Sequence, residues 1–78
     1  MNFREQFVKR KWEANGWKVI RNGAPDFIAI KVDQETGSFT EIAAIEVKAG
    51  RSRLTIQQQV WKRILEAAGV RFVLERVQ

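Results

Sequence analysis

The residues able to do chemistry lie in two short runs: Asp26, which follows Gly23-Ala24-Pro25, and Glu46-Val47-Lys48. The chain contains no histidine and no cysteine. That removes the imidazole base, the thiol nucleophile, the disulfide framework and the Cys/His zinc site. Any metal must sit on oxygen ligands, a donor set that suits magnesium or manganese rather than zinc or copper. Two carboxylates and a lysine are what phosphodiester hydrolysis then requires. The carboxylates hold a cation that activates water and neutralises charge on the phosphate, and an ammonium close by helps. The carbonyl of Val47, between Glu46 and Lys48, could add a backbone ligand. Lys48 could orient or deprotonate the attacking water, or stabilise the transition state. Beside two carboxylates, orienting and stabilising suit an ammonium better than acting as a free base.

Whether these side chains can meet depends on the elements that carry them. Asn2 to Asn15 reads as a helix, with Asn2 as N-cap, Glu5 three residues on as in a capping box, and Phe3, Phe7, Val8 and Trp12 as an apolar stripe. Trp17 to Arg21 has strand character, ended by Asn22-Gly23-Ala24-Pro25. Asp26 to Val32 and Phe39 to Lys48 read as two strands of a hairpin, with Gly37 taking the positive φ of a three-residue loop closed by a bulge. If Gln34 pairs with Ser38, Asp26 stands directly opposite Glu46. Opposed residues share one face with Cβ atoms about 4.5–5.5 Å apart, and Lys48, two residues on, points the same way. A second helix is expected from Thr55 as N-cap, burying Val60, Trp61, Ile64, Leu65 and Ala68, and Val70 to Val77 forms a last strand. The expectation is α/β: an αβββαβ order with helices packed on a short mixed sheet.

At 78 residues the chain has room for one domain, spanning 1–78. Domains this short bury only about 60% of the surface their unfolded chains expose. Fourteen Lys and Arg against nine Asp and Glu give a net charge of +5, an excess that favours a polyanion such as nucleic acid. Arg51 and Arg53, just past Lys48 and just before a helix start, read as phosphate contacts, with Lys9 and Lys62 as further basic candidates. Five Phe and three Trp, with apolar side chains on both faces of the Asp26 to Val32 strand, exceed what two short helices cover. A homodimer is therefore expected. No stretch approaches the ~20 apolar residues of a membrane span, and the N-terminus lacks the apolar core of a signal peptide, so a cytoplasmic location is expected.

Each motif also has a plainer reading. Gly-x-Pro-Asp alone suits a β-turn, Glu-x-Lys in a strand suits a surface ion pair, and Glu5 suits a capping acid. Their conjunction decides otherwise, because the hairpin register brings Asp26 to Glu46 beside the apolar residues Ile28, Ile30, Ile42 and Ala44, where acids need a reason.

Gly23-Ala24-Pro25-Asp26, Glu46-Val47-Lys48, and Gly50-Arg51-Ser52-Arg53-Leu54-Thr55 with Gln58 and Trp61 resemble the PD-(D/E)XK nucleases, and within them the VRR-NUC group. The resemblance runs from about Trp17 to the C-terminus. It implies a restriction-endonuclease-like core and a divalent-metal-dependent endodeoxyribonuclease. Asp26 and Glu46 would bind the metal, Lys48 would assist water attack, and a glutamine of the following helix would support the site. Ile56 stands where related sequences usually have proline, which leaves Gln57 and Gln58 both open for that role. Glu5 is the matching candidate for the acidic residue that the first helix often adds. Small stand-alone members include junction resolvases, so four-way or otherwise branched DNA is the expected substrate. Two alternatives stand beside this. A non-catalytic double-stranded RNA-binding module shares the α-β-β-β-α order but needs a lysine cluster where this chain has Gln57-Gln58-Gln59. An inactive subunit of the nuclease fold would not need Asp26, Glu46 and Lys48 intact.

Overall fold

A computed structural model describes residues 1–78. The elements follow in the order α1 (Phe3–Ala14), β1 (Trp17–Arg21), β2 (Phe27–Val32), β3 (Phe39–Ala49), α2 (Ile56–Ala67) and β4 (Arg71–Val77). The four strands form one sheet in the order β1-β2-β3-β4, antiparallel except for the parallel pair β3 and β4. A parallel pair cannot be joined by a tight turn, and α2 supplies the crossover. The result is α/β, a mixed sheet with two helices in αβββαβ order.

Both helices begin on reciprocal capping boxes. The Asn2 side chain accepts from the Glu5 N–H at 2.8 Å while Glu5 accepts from the Asn2 N–H at 3.1 Å. Thr55 and Gln58 repeat the exchange at 3.1 and 2.9 Å. Each box satisfies two backbone donors that a helix start leaves without partners.

The hairpin reaches the expected register by another route. The loop closes on Asp33 and Ser38, whose N–H···O bond is 2.8 Å, rather than on Gln34 and Ser38. The Asp33 carboxylate takes the N–H groups of Glu35 and Thr36 at 2.8 and 3.0 Å, so the turn is organised by that side chain, with Gly37 at φ +73°. This loop is one residue longer than expected, and a bulge at Thr40 between the Lys31–Glu41 and Val32–Phe39 pairs restores the register. From Lys31–Glu41 to Phe27–Ile45 the pairing is the one read from the sequence.

Strand alternation divides the side chains between two unequal faces. Val19, Phe27, Ala29, Ala43 and Ile45 point to one side and pack with Val8 of α1, flanked by Trp12, Trp17, Val47, Val73 and Val77. That is the core. The expected stripe on α1 is half realised: Val8 is buried, but Phe3 and Phe7 remain 73% and 52% exposed, because the helix meets the sheet only along the Val8–Trp12 line. The buried face expected for α2 is not realised either. Leu65 is half-buried while Val60, Trp61, Ile64 and Ala68 are exposed, since α2 packs chiefly on β4, at the sheet edge. Ile20, Ile28, Ile30, Ile42 and Ala44 share the α2 side, and Ile20 and Ile42 are exposed there.

Opposite α2, the tie between α1 and β4 is polar. Glu75 accepts from the Trp12 indole N–H at 2.9 Å and from Lys11 Nζ at 2.8 Å. Burial pushes the Glu75 carboxyl up, but those two donors outweigh it and hold the group below its ordinary value of 4.5. A carboxyl depressed on folding stabilises the protein above its unfolded pKa, and that contribution is lost as pH falls through the folded value. Glu75→Ala should cost about 1–3 kcal/mol at neutral pH, because the half-buried Trp12 N–H loses its acceptor. Urea unfolding at pH 7 and pH 3 should show the wild-type advantage shrinking at the lower pH.

Candidate active site

Asp26, Glu46, Val47 and Lys48 lie where β3 outruns β2. The β2–β3 pairing begins at Phe27–Ile45, so Glu46 to Ala49 continue past the end of β2, paired only with Leu74 to Val77 of β4. Asp26 lies in the bend just before β2, one residue beyond the Phe27–Ile45 pair and beside Glu46. The two residues are locked by exchange. The Asp26 N–H donates to Glu46 Oε2 at 3.2 Å, and Asp26 Oδ2 accepts from the Val47 N–H at 2.9 Å.

Pro25 explains what this leaves open. Continuing the register one further step sets Val47 opposite Pro25, which has no N–H to give to the Val47 carbonyl. The Val47 N–H, deprived of a regular ladder, is taken by Asp26 instead.

Glu46 is 4% exposed, the one charged residue in the buried set. Burial pushes its carboxyl up from the ordinary value of 4.5, and the neighbouring Asp26 charge adds to this. The hydrogen bond from the Asp26 N–H and the charge of Lys48 oppose the shift without cancelling it. Gln58 Nε2 donates to Glu46 Oε1 at 2.7 Å. Its amide has only one sensible orientation, because Gln58 Oε1 must accept from the Thr55 N–H in the capping box. Of the two glutamines left open by the sequence, Gln58 reaches the site. Gly23, Ala24, Pro25, Trp61 and Phe72 join Glu46 and Gln58 around a small cavity of about 30 Å³.

Lys48 lies two residues beyond Glu46 on the same face, half-buried. Glu5 is not brought to Asp26 and Glu46. Its carboxylate serves the α1 capping box, and no group of three acids able to hold a metal forms. Lys9 and Lys62 stand in exposed i,i+4 pairs with Glu13 and Glu66 at 2.8 and 3.4 Å. Arg51 and Arg53 are exposed on the loop between β3 and α2. Arg76, which the sequence reading passed over, donates from Nη1 to the carbonyls of Gly50 and Ser52 at 3.0 and 2.6 Å.

The family model of the VRR-NUC domain matches residues 4–78. The chain belongs to the VRR-NUC family. No curated protein and no solved structure matches it. VRR-NUC is a PD-(D/E)XK-like nuclease domain, so membership implies nuclease activity and nucleic acid as substrate. It also sets aside the double-stranded RNA-binding alternative. In this VRR-NUC domain, Pro25-Asp26 and Glu46-Val47-Lys48 are the candidates for the residues that give the superfamily its name. No helix is long and apolar enough to cross a membrane.

The raised Glu46 carboxyl has a consequence for stability. A group whose pKa rises on folding stabilises the fold below its unfolded value, and this is lost as pH climbs through the folded one. In chelator, wild type should therefore lose stability relative to Glu46→Gln between pH 4 and pH 8. Paired urea titrations at the two pH values measure this. The absolute offset reflects the hydrogen bond that the amide cannot accept from Asp26, so the change with pH is the informative quantity; parallel curves would mean burial does not strain the carboxylate.

Proposed function

We propose that residues 1–78 form a single domain that hydrolyses DNA phosphodiester bonds with a magnesium or manganese ion bound by Asp26, Glu46 and the Val47 carbonyl. The reading rests on one observation above the rest. Two carboxylates are held against each other at an open strand flank, beside a carbonyl for which Pro25 provides no donor. The donor set fits a hard cation. All three groups are oxygen donors, and their small number suits magnesium, which keeps several of its waters. When bound, the cation would lower the pKa of a water and neutralise charge on the phosphate.

The chain's own residues supply the rest. Gln58 fixes the rotation of the Glu46 carboxylate through Oε1, and the Asp26 N–H fixes Oε2. Lys48 presents an ammonium on the same face, where it orients the attacking water and stabilises the charge developing on the phosphate. Arg51 and Arg53 meet the DNA backbone, and Lys9 and Lys62 extend the basic surface at its margin. Phosphate contacts position DNA without reading its bases. The hairpin and α2 carry the site while α1 packs on the other face of the sheet, so the site presents no free helix to a major groove.

The same chemistry favours branched DNA cut by a homodimer. Ile20, Ile42, Val60, Trp61 and Ile64 leave apolar surface on the α2 side of the sheet. A two-fold partner is the commonest cover for such a surface. Two active sites in fixed two-fold relation suit the symmetric strands of a four-way junction.

The decisive measurement is cleavage of linear, nicked, flapped and four-way-junction DNA across a magnesium titration. Asp26→Ala and Glu46→Ala should abolish cutting and also the rise in melting temperature that magnesium gives wild type. Lys48→Ala should keep that thermal shift but lose about 10²–10³ in rate, the usual loss for one charge-stabilising donor. Full activity in excess chelator would end the metal-dependent reading.

Substrate choice is tested separately. Paired cuts should follow the branch point on junctions of unrelated sequence, with slower cutting of matched linear duplex. Ile42→Glu together with Ile64→Glu should yield a folded monomer by sedimentation and lose paired cutting. A wild-type chain that sediments as a monomer at about 10 µM, within the range of ordinary dimer affinities, would overturn the homodimer.

A further inference from the structure

Arg76 is exposed and has no acidic partner, yet it is the most heavily bonded arginine in the chain. Both of its bonds run from Nη1 to backbone carbonyls of the loop that follows β3. That loop is pinned at other points as well. The Gly50 N–H donates to the Val77 carbonyl at 3.0 Å, and the Ser52 N–H to the Ala49 carbonyl at 2.9 Å. Gly50 sits at φ +47°, the left-handed region that lets the chain reverse directly after β3. The Val77 carbonyl also accepts from Arg4 Nε at 3.3 Å, which ties the start of α1 to the same corner. The carbonyls of Gly50 and Ser52 flank Arg51, and Ser52 separates Arg51 from Arg53. In the parallel register Arg76 is the cross-strand partner of Lys48, so the two side chains share a face.

We propose that Arg76 is a positioning residue for the nuclease: it holds the Gly50–Ser52 turn so that Arg51 and Arg53 are presented to the DNA backbone beside Lys48. This rests on the nuclease reading above and adds to it the part that sets the substrate-binding loop. A loop bearing two arginines and no acid repels itself and has no packed core to order it. A guanidinium is suited to the task because two hydrogens on one nitrogen can meet two carbonyls in a fixed geometry. Holding the loop in advance removes ordering entropy that DNA binding would otherwise have to overcome.

Two variants separate positioning from direct contact. Arg76→Gln removes the charge-assisted clamp, while Arg76→Lys retains a cation with three donors on one nitrogen, able to reach both carbonyls but unable to form a planar fork on a phosphate. The first readout uses the protein without DNA. Limited trypsin digestion, followed by mass spectrometry, reports cleavage after Arg51 and Arg53. Arg76→Gln should be cut there about tenfold faster than wild type, as expected if the clamp accounts for most of the loop's local order, and Arg76→Lys should stay close to wild type. Equal rates in wild type and Arg76→Gln would overturn the clamp.

The second readout is binding to four-way-junction DNA in calcium, across a salt titration. Arg76→Gln should weaken binding about tenfold in the wild-type background, but far less when Arg51→Ala and Arg53→Ala are already present, because residues acting through one another are not additive. Equal weakening in both backgrounds would make Arg76 a direct phosphate contact and overturn the positioning role. The magnesium-induced thermal shift should be the same in Arg76→Gln as in wild type, since the clamp does not touch the carboxylates. If wild type neither binds DNA nor responds to magnesium, the nuclease reading fails, while the trypsin comparison still decides whether Arg76 holds the loop.

Discussion

Two carboxylates forced together at one strand flank are the constraint to which the rest of this small domain answers. Asp26 and Glu46 carry like charge, and Glu46 is almost wholly shielded from water. An arrangement of that kind is unfavourable unless each oxygen finds donors. The N–H of Asp26 and the Gln58 amide serve the two oxygens of Glu46, and the N–H of Val47 serves Oδ2 of the half-buried Asp26. Removing either side chain strands a backbone N–H, that of Val47 if Asp26 goes and that of Asp26 if Glu46 goes. The remaining strain is the raised Glu46 carboxyl, which a cation at the flank would relieve.

The same constraint accounts for a glutamine at the third position of α2. A capping box works with either Glu or Gln there, because only the side-chain carbonyl oxygen is used to receive the N-cap N–H. Glutamate would cap Thr55 as well, but it would aim a third carboxylate at Glu46 with no donor to offer. Glutamine caps with Oε1 and donates with Nε2, so the start of the helix and the orientation of the site are set by one side chain. A chain of 78 residues with so few buried side chains has little means to hold the Asp26–Glu46 pair by packing. It does so with hydrogen bonds that also end its secondary elements.

What could be read from the sequence was what local rules determine. Helix starts at Asn2 and Thr55 follow from capping chemistry, and the meeting of Asp26 with Glu46 follows from a hairpin whose register a turn and the strand pattern jointly fix. Even there the route was misread. The Asp33 side chain organises a longer loop and the bulge at Thr40 compensates, which leaves the distant pairing intact because slipping it would turn Phe27 and Ile45 out of the core. What could not be read were the contacts with no local rule. The parallel register of β4 has no turn to fix it, so nothing in the sequence sets Arg76 beside Lys48. The exposure of Phe3, Phe7 and Ile64 was hidden for a related reason: a periodic stripe says which residues share a helix face, not how far the sheet beneath it extends.

The direction of β4 is what completes the end of the sheet that carries Glu46-Val47-Lys48. Past Ile45, β3 has lost β2, and with both flanks bare the end of this eleven-residue strand would fray at Glu46-Val47-Lys48. A strand running parallel to β3 finishes at the same end as Glu46-Val47-Lys48 and pairs every residue of that overhang up to Ala49–Val77. Only the flank toward Asp26 then remains without a strand partner. The parallel direction also delivers the end of β4 to the corner where Gly50, Arg4 and the basic loop converge. An antiparallel fourth strand could support the overhang, but it would bring its first residues to that corner and carry its end to the far side of the sheet. The crossover through α2 follows from the same choice, and with it the delivery of Gln58 to Glu46. Ligands of α/β sheets gather outside the carboxyl ends of parallel strands, and here that end carries Glu46-Val47-Lys48 and the Gly50–Ser52 turn, with Asp26 bonded beside them.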